Sequence, residues 1–257
     1  MNFLSRGFFL AGGVFETLRA YKGKVPFLDL HIERLNKGLK SLEIDEAQLD
    51  FQSKISELLK LNNLDDVYIR ITAYKKREST GVIIYVDKFG YYPESAYEKG
   101  FTTIVSPHKR DSKNHFPQIK SLSYLENRMS WYEAQKKNKD EALILNEGGF
   151  LVGGSRSNLF IVKNNEVFIP SLEKGAFGGI TRNVVIKILK DLKIKVKEKN
   201  LEVESLFSYD EAFLTSALLE VMPLVECQDK KIGGGKPGAF SLTVLAKYRE
   251  LCNKSNA

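Results

Sequence analysis

The run from Val14 to Tyr21 (Val-Phe-Glu-Thr-Leu-Arg-Ala-Tyr) predicts a strand, Lys22-Gly23-Lys24 a turn, and Val25 to Leu28 a returning strand. Asp29 is a candidate N-cap for the helix that follows, in which Leu28, Ile32, Leu35, Leu39 and Leu42 recur at helical spacing. A second helix is predicted through Phe51, Ile55, Leu58 and Leu59. Two β-rich runs come next, 67–74 and 82–86, and a third apolar stretch ends at Ile104-Val105. From Ser106 to Pro117 the chain turns polar, with two prolines and five basic or histidine residues, and reads as a linker. An amphipathic helix is expected over 122–136, through Leu125, Met129, Tyr132 and Ala134. Two hairpins follow, one turning at Gly148-Gly149 and one at Asn164-Asn165 between Asn158–Val162 and Val167–Ile169. A helix from about Thr181 buries Val184, Val185, Ile188, Leu189 and Leu192 on one face. A strand at Ala212–Leu214 ends in Thr215-Ser216-Ala217, and a last helix runs from about Phe240 to Leu251. The pattern implies an α+β fold with an N-terminal α+β domain over 1–105, an interdomain linker over 106–118 and a C-terminal domain over 119–257.

A chain of 257 residues with 43% hydrophobic and 28% charged residues is no disordered tail, fibre or disulfide miniprotein. The 39 Lys and Arg against 32 Asp and Glu leave a formal charge of +7, compatible with a nucleic-acid binder or with an enzyme that handles anions. The basic runs at 135–139 and 190–199 interleave with acids and read as solvated faces, so nucleic acid is not expected as a partner. Cys227 and Cys252 form no framework, and His31, His108 and His115 lie too far apart in sequence to suggest a metal site. The N-terminus lacks the features of a secretory signal and no stretch is long enough to span a membrane, so the expected location is cytoplasmic.

Four features bear on chemistry. Gly178-Gly179-Ile180-Thr181-Arg182 precedes a helix, where main-chain N–H groups and the helix dipole can seat a phosphate; Thr181 as a plain N-cap is the ordinary alternative. Gly233–Gly238 (Gly-Gly-Gly-Lys-Pro-Gly) has the wrong glycine spacing, and proline in place of Ser or Thr, for a phosphate loop, and reads as a flexible connection. Arg34, beside core Leu35, is either a snorkelling surface residue or a bidentate phosphate ligand. Lys120 is one candidate nucleophile among many lysines, and that role requires a depressed pKa.

Several stretches, taken in order, resemble the class IV, fold-type IV family of pyridoxal-phosphate enzymes. They are Gly13-Val14-Phe15-Glu16-Thr17, His31-Ile32-Glu33-Arg34-Leu35, Lys120-Ser121-Leu122-Ser123-Tyr124-Leu125 and Asp140-Glu141-Ala142-Leu143. Further on come Gly154-Ser155-Arg156-Ser157-Asn158-Leu159-Phe160, Gly179-Ile180-Thr181-Arg182 and Asp210–Thr215, continuing to Glu220-Val221-Met222-Pro223. The family holds branched-chain aminotransferases, D-amino-acid aminotransferases and aminodeoxychorismate lyases. The resemblance implies two domains, the larger one β-barrel-like with helices, and pyridoxal 5'-phosphate as cofactor. It implies that Lys120 forms the Schiff base and then moves the substrate α-proton, and that Arg34 binds the phosphate together with Gly179, Ile180 and Thr181. Tyr124 falls near the position that contacts the cofactor's phenolic oxygen, and Ser216-Ala217-Leu218 matches the loop at the phosphate and the substrate carboxylate. Tyr68 and Arg70 match the substrate side of the branched-chain enzymes. A homodimer is implied by the same resemblance.

Departures shape the functional expectation. Gly153 stands where the family usually carries a glutamate that keeps the pyridine nitrogen protonated, and another acid is needed there if the electron sink is to keep its strength. Gly12 stands where an Asp is common, and Ala217 replaces a hydroxyl residue typical of the transaminases. Glu220 and Tyr68-Ile69-Arg70 resemble the branched-chain transaminases; Ala217-Leu218 and Val221-Met222-Pro223 resemble the lyases; Ala73 replaces the carboxylate-trapping Arg of the D-amino-acid enzymes. The function implied is an aminotransferase acting on an α-amino acid, branched-chain-like, and a 2-oxo acid. The alternatives are an aminodeoxychorismate lyase forming 4-aminobenzoate and pyruvate, and a cofactor-binding relative impaired by Gly153.

Overall fold

The computed structural model describes residues 10–77, 79–90, 92–114 and 118–254. The first nine residues, which bear on the expected absence of a leader, and His115 and Pro117 of the expected linker lie outside the described residues. The described residues divide between two compact units. One draws on Met1–Tyr91, Ile119–Tyr124 and Cys252–Ala257, the other on Tyr92–Gln118 and Leu125–Leu251.

In the first unit, β1 (Gly13–Ala20), β2 (Val67–Lys76) and β3 (Ser79–Lys88) form an antiparallel sheet in that order. Helices α1 (Leu28–Ser41) and α2 (Phe51–Asn62) lie between β1 and β2 in the chain. Alternate residues Val14, Leu18 and Ala20 of β1 and Val67, Ile69 and Ile71 of β2 share one core with Leu28, Leu35 and Leu39 of α1 and Phe51, Ile55 and Leu59 of α2. Period-2 strands and period-3.6 helices thus turn the same apolar surface inward. Gly38 lets α1 approach closely, because an added Cβ would stand 3.0 Å from Val14 Cγ1. The returning strand expected at Val25–Leu28 does not form: the turn closes with a single bridge between Tyr21 and Lys24, and Leu28 already begins the helix. Asp29 is not the cap but a first-turn acid; Phe27, at φ 59°, occupies the N-cap without a side-chain bond.

The second unit is built on a nine-stranded mixed sheet that curls into a half-barrel. Its helix α3 (Glu94–Lys99) leads into β4 (Phe101–Arg110), followed by α4 (Leu125–Lys136), β5 (Glu141–Asn146), β6 (Leu151–Gly154), β7 (Asn158–Lys163) and β8 (Glu166–Ile169). After these come α5 (Ile180–Asp191), β9 (Val196–Glu198), β10 (Glu211–Ser216), β11 (Glu220–Cys227), β12 (Lys230–Lys231) and α6 (Ala239–Lys254). The order across the sheet is β6-β5-β4-β11-β10-β7-β8-β9, with β12 on β11.

Several sequence expectations change here. Residues 106–110, read as linker, continue β4, and its register with β5 carries Lys109 and Arg110 opposite Leu145 and Asn146. Buried Arg110 donates to the Gly175 carbonyl, so a basic residue that looked like linker is a strut of the sheet. The expected boundary at 105/106 therefore falls within a strand. Helix α4 begins at Leu125, which is exposed, and it packs through the small residues Ser130 and Ala134, with Ser130 held by Ser106 of β4. β11 was not anticipated because Pro223 interrupts its pattern; it pairs with β10 through Ala212–Ser216 all the same. The Gly233–Gly238 segment is a packed turn. A side chain on Gly233 or Gly238 would overlap Asp210 or Glu211, and Glu211 accepts from the N–H groups of Phe240 and Ser241 at the start of α6. The hairpin at Asn164-Asn165 is as expected, both residues having positive φ.

Candidate active site

Residues 119–122 run antiparallel along the outer edge of β1. Phe15 N–H donates to the Lys120 carbonyl (2.8 Å), Leu122 N–H donates to the Gly13 carbonyl (2.9 Å), and Val14 bridges Ser121. Lys120 thus sits at a sheet edge, where its side chain meets groups carried on either face. On one face, its Nζ lies 4.6 Å from the centre of the Phe15 ring and 5.7 Å from that of Tyr124. Those two rings meet edge to face at 5.3 Å, and the Arg70 guanidinium stands 4.0 Å from the Phe15 ring. Tyr68, two residues before Arg70 on β2 and so on the same face, packs edge-on against Tyr85 of β3. The structure therefore gathers Lys120, Tyr124 and Arg70 around one aromatic ring.

The other face holds a group that sequence reasoning did not assign. Glu16 occupies the core-facing register of β1 and is fully buried. Its two oxygens accept from Arg34 Nε (2.7 Å) and Nη2 (2.6 Å), and Oε2 also accepts from His31 Nδ1 (2.7 Å). His31 and Arg34 lie one turn apart on α1 and reach the same carboxylate. Burial alone would push this carboxyl up, but the bonds from Arg34 and His31 outweigh it and hold the pKa down at about 2. Burial pushes His31 below its ordinary value despite Glu16, so it is a neutral imidazole whose Nδ1 proton points at Glu16. Burial also pushes the Lys120 amine down to about 8; Glu16 opposes that shift, while Arg34 and Arg70 reinforce it. Its neutral form is therefore populated near physiological pH, as a nucleophilic amine requires. The readable signal for Glu16 was an acid in the middle of a strand whose neighbours in register, Val14 and Leu18, are apolar.

The second unit carries its own cluster. α5 starts after Gly179, the N-cap, which offers no side-chain cap; Thr181 is buried within the first turn and is not the cap. A side chain on Gly179 would overlap Asn158 Oδ1, and the Asn158 amide donates to the Phe177 carbonyl (2.6 Å). Asn158 in turn pairs with Thr215 across β7 and β10. Register therefore brings the start of α5 close to the turn Ser216-Ala217-Leu218, where the Leu219 N–H donates to Ser216 Oγ (3.2 Å). Glu220, read as a mark of the transaminases, is buried and bonded to Arg249 Nε at 2.7 Å, a structural ion pair.

Gly153 adopts φ 141°, and an added Cβ would stand 2.9 Å from the Ser157 carbonyl oxygen. The buried carboxylate of this region is Glu141. It accepts from Ser155 through both its N–H and its hydroxyl, from Ser157 Oγ and from the Arg156 N–H, and so holds the 155–157 loop. Among the described residues no group of three His, Cys, Asp or Glu side chains is placed to hold a metal, and no helix is long and apolar enough to cross a membrane.

The sequence model of class IV aminotransferases matches residues 13–227. The aminodeoxychorismate lyase of Bacillus subtilis (strain 168) is 30% identical, over 96% of this chain and 88% of that protein. The branched-chain-amino-acid aminotransferase of Escherichia coli (strain K12) is 29% identical, over 96% of this chain and 86% of its own length. The crystal structure of a T.th. branched-chain amino acid aminotransferase with pyridoxamine 5'-phosphate superposes with a TM-score of 0.85 at 26% identity, covering 95% of this chain and 86% of that one. The chain belongs to the class IV aminotransferases, which are pyridoxal-phosphate-dependent enzymes of fold type IV.

Proposed function

We propose that this protein transfers an amino group between an α-amino acid of branched-chain type and a 2-oxo acid. The observation that carries the reading is the Lys120 amine, lowered to about 8 and flanked by the cations of Arg34 and Arg70. A neutral amine beside two guanidinium groups suits a reaction between an amine and anionic aldehydes or oxo acids. The chemistry of the donor set fits pyridoxal 5'-phosphate. In this reading the Lys120 amine would hold the cofactor through its aldehyde group, with loss of water, and, once displaced by the incoming amino acid, would carry the substrate α-proton. Arg34 is the phosphate ligand of the first unit in this reading, and the N–H groups of Ile180 and Thr181, at the start of α5, are the phosphate donors that the second unit would offer. Tyr124 offers its hydroxyl to the ring, Ser216 and Ala217 serve the phosphate, and Leu218, Ala217, Tyr68 and Arg70 shape the substrate side. When bound, the cofactor would supply an electron sink. The protein acts as a homodimer in the cytoplasm.

A lyase acting on aminodeoxychorismate is the second reading, favoured by Ala217 in the turn after β10. Titration with pyridoxal 5'-phosphate tests the site: the full chain acquires a visible absorbance band, and Lys120→Ala does not. A wild-type protein that stays colourless with excess cofactor overturns the proposal. A panel of amino donors with 2-oxoglutarate, run beside an assay for 4-aminobenzoate and pyruvate, separates transaminase from lyase.

A further inference from the structure

Glu16 is the acid that acts on the Lys120 amine from among the surrounding cations. It sits beside Arg34, under α1, in a position that β1 would normally fill with an apolar residue. Its contacts are specific. The Nε–Nη2 edge of the guanidinium meets both carboxylate oxygens at 2.6–2.7 Å, and His31 closes on Oε2 from one turn away. A fork-to-fork pair fixes the plane of the guanidinium as well as its position. A buried ion pair held for stability alone is a poor bargain, since apolar packing would serve as well. An anion receptor needs a guanidinium whose orientation is set before the ligand arrives.

We propose that Glu16, steadied by His31, is a positioning residue: it clamps Arg34 in the orientation that receives the cofactor's phosphate and partly balances the cations gathered around the Lys120 amine. The proposal rests on the reading of Arg34 and Lys120 given above. Among the described residues, the charged groups acting on that amine include Glu16 from β1, Arg34 from α1 and Arg70 from β2, with His31 coupled to it from α1 and the Tyr124 ring 5.7 Å away. Of the three that act on its charge, Glu16 favours the protonated amine, whereas Arg34 and Arg70 oppose it. Removing its charge while keeping its shape therefore lowers the affinity of Lys120 for its proton. A merely structural role predicts the opposite: a loosened core admits water, and the amine returns toward an ordinary lysine.

The test uses the full-length, cofactor-free protein. The titration of Lys120 is followed by the pH dependence of its labelling with trinitrobenzenesulfonate, read at that residue by mass spectrometry. In Glu16→Gln the midpoint moves below that of the wild type, on the order of one pH unit. In Arg34→Gln it moves up, because a cation has gone. Glu16→Asp keeps the charge and leaves the midpoint near that of the wild type. This variant also decides the matter if Glu16→Gln does not fold: a midpoint in Glu16→Asp that rises to the ordinary lysine range overturns the proposal. An upward or absent shift in folded Glu16→Gln overturns it too. A second readout is the ratio of dissociation constants for pyridoxal and pyridoxal 5'-phosphate, which reports the grip on the phosphate. That ratio falls at least about tenfold in Glu16→Gln, the scale of one charge-assisted hydrogen bond; an unchanged ratio is a refutation. Failure of wild-type protein to bind pyridoxal 5'-phosphate at all overturns the assigned function instead, and leaves the Lys120 titration to judge Glu16 separately.

Discussion

Acidification tests the electrostatics of the Glu16 cluster through folding. The folded carboxyl titrates at about 2 against an ordinary 4.5. A group with a depressed folded pKa contributes stability that is complete above its unfolded pKa and disappears as the pH falls through the folded one. At roughly 1.4 kcal/mol per pH unit, Glu16 contributes roughly 3 kcal/mol at neutral pH. By pH 3 about 2 kcal/mol of that is gone, a substantial part of the ~5–15 kcal/mol that holds a typical protein together. The group is fully buried, so solvent screening does not reduce the figure. His31 acts with the same sign at higher pH. Its folded pKa is also lowered, so the stability tied to its neutral form is lost as the pH falls below 6.5. The assay is urea unfolding at intervals from pH 7 to pH 3, comparing wild type, Glu16→Gln and His31→Gln. Glu16→Gln is less stable throughout because Arg34 has lost its partner, but its stability declines less steeply below pH 4.5. His31→Gln flattens the segment nearer pH 6 and keeps the lower one. Parallel curves for wild type and Glu16→Gln below pH 4.5 would show that the carboxylate is not held in its ionised form, and the account of the cluster would fail.

Two further outcomes follow from the same structure. In cofactor-free protein Lys120→Met raises stability at pH 7 by about 1–3 kcal/mol, because the native state no longer holds an amine whose pKa is pushed down to about 8. The gain fades as the pH rises from 8 through 10.5, above which the wild-type amine is neutral in both states; thermal melts at pH 7 and pH 10 check it. Gly153→Glu, which would restore the carboxylate usual in the family, costs about 1–3 kcal/mol, since φ 141° and the Ser157 carbonyl at 2.9 Å oppose any side chain there. Its melting temperature falls, and a gain in transamination would show that the loop yields to accept the side chain.

Periodicity placed the three strands of the first sheet and its two helices, but added a strand at Val25–Leu28 that does not form. β1, β2 and β3 and the buried faces of α1 and α2 follow from local alternation, which a chain displays whatever surrounds it. The order of short stretches was likewise sufficient to recognise the family and to name Lys120 and Arg34 as candidates. The course of β4 through a polar, proline-bearing segment was not legible, nor was β11 across Pro223, because their places in the sheet depend on partners far away in sequence. The same holds for Glu16. Its carboxylate is a destabilising choice for an apolar register until α1 folds across it and brings His31 and Arg34 within hydrogen-bonding distance. Sequence alone determined which residue types were available for the chemistry. Only the tertiary structure decided their ionisation, because burial and charge partners, unlike hydrophobic alternation, have no local signature along the chain.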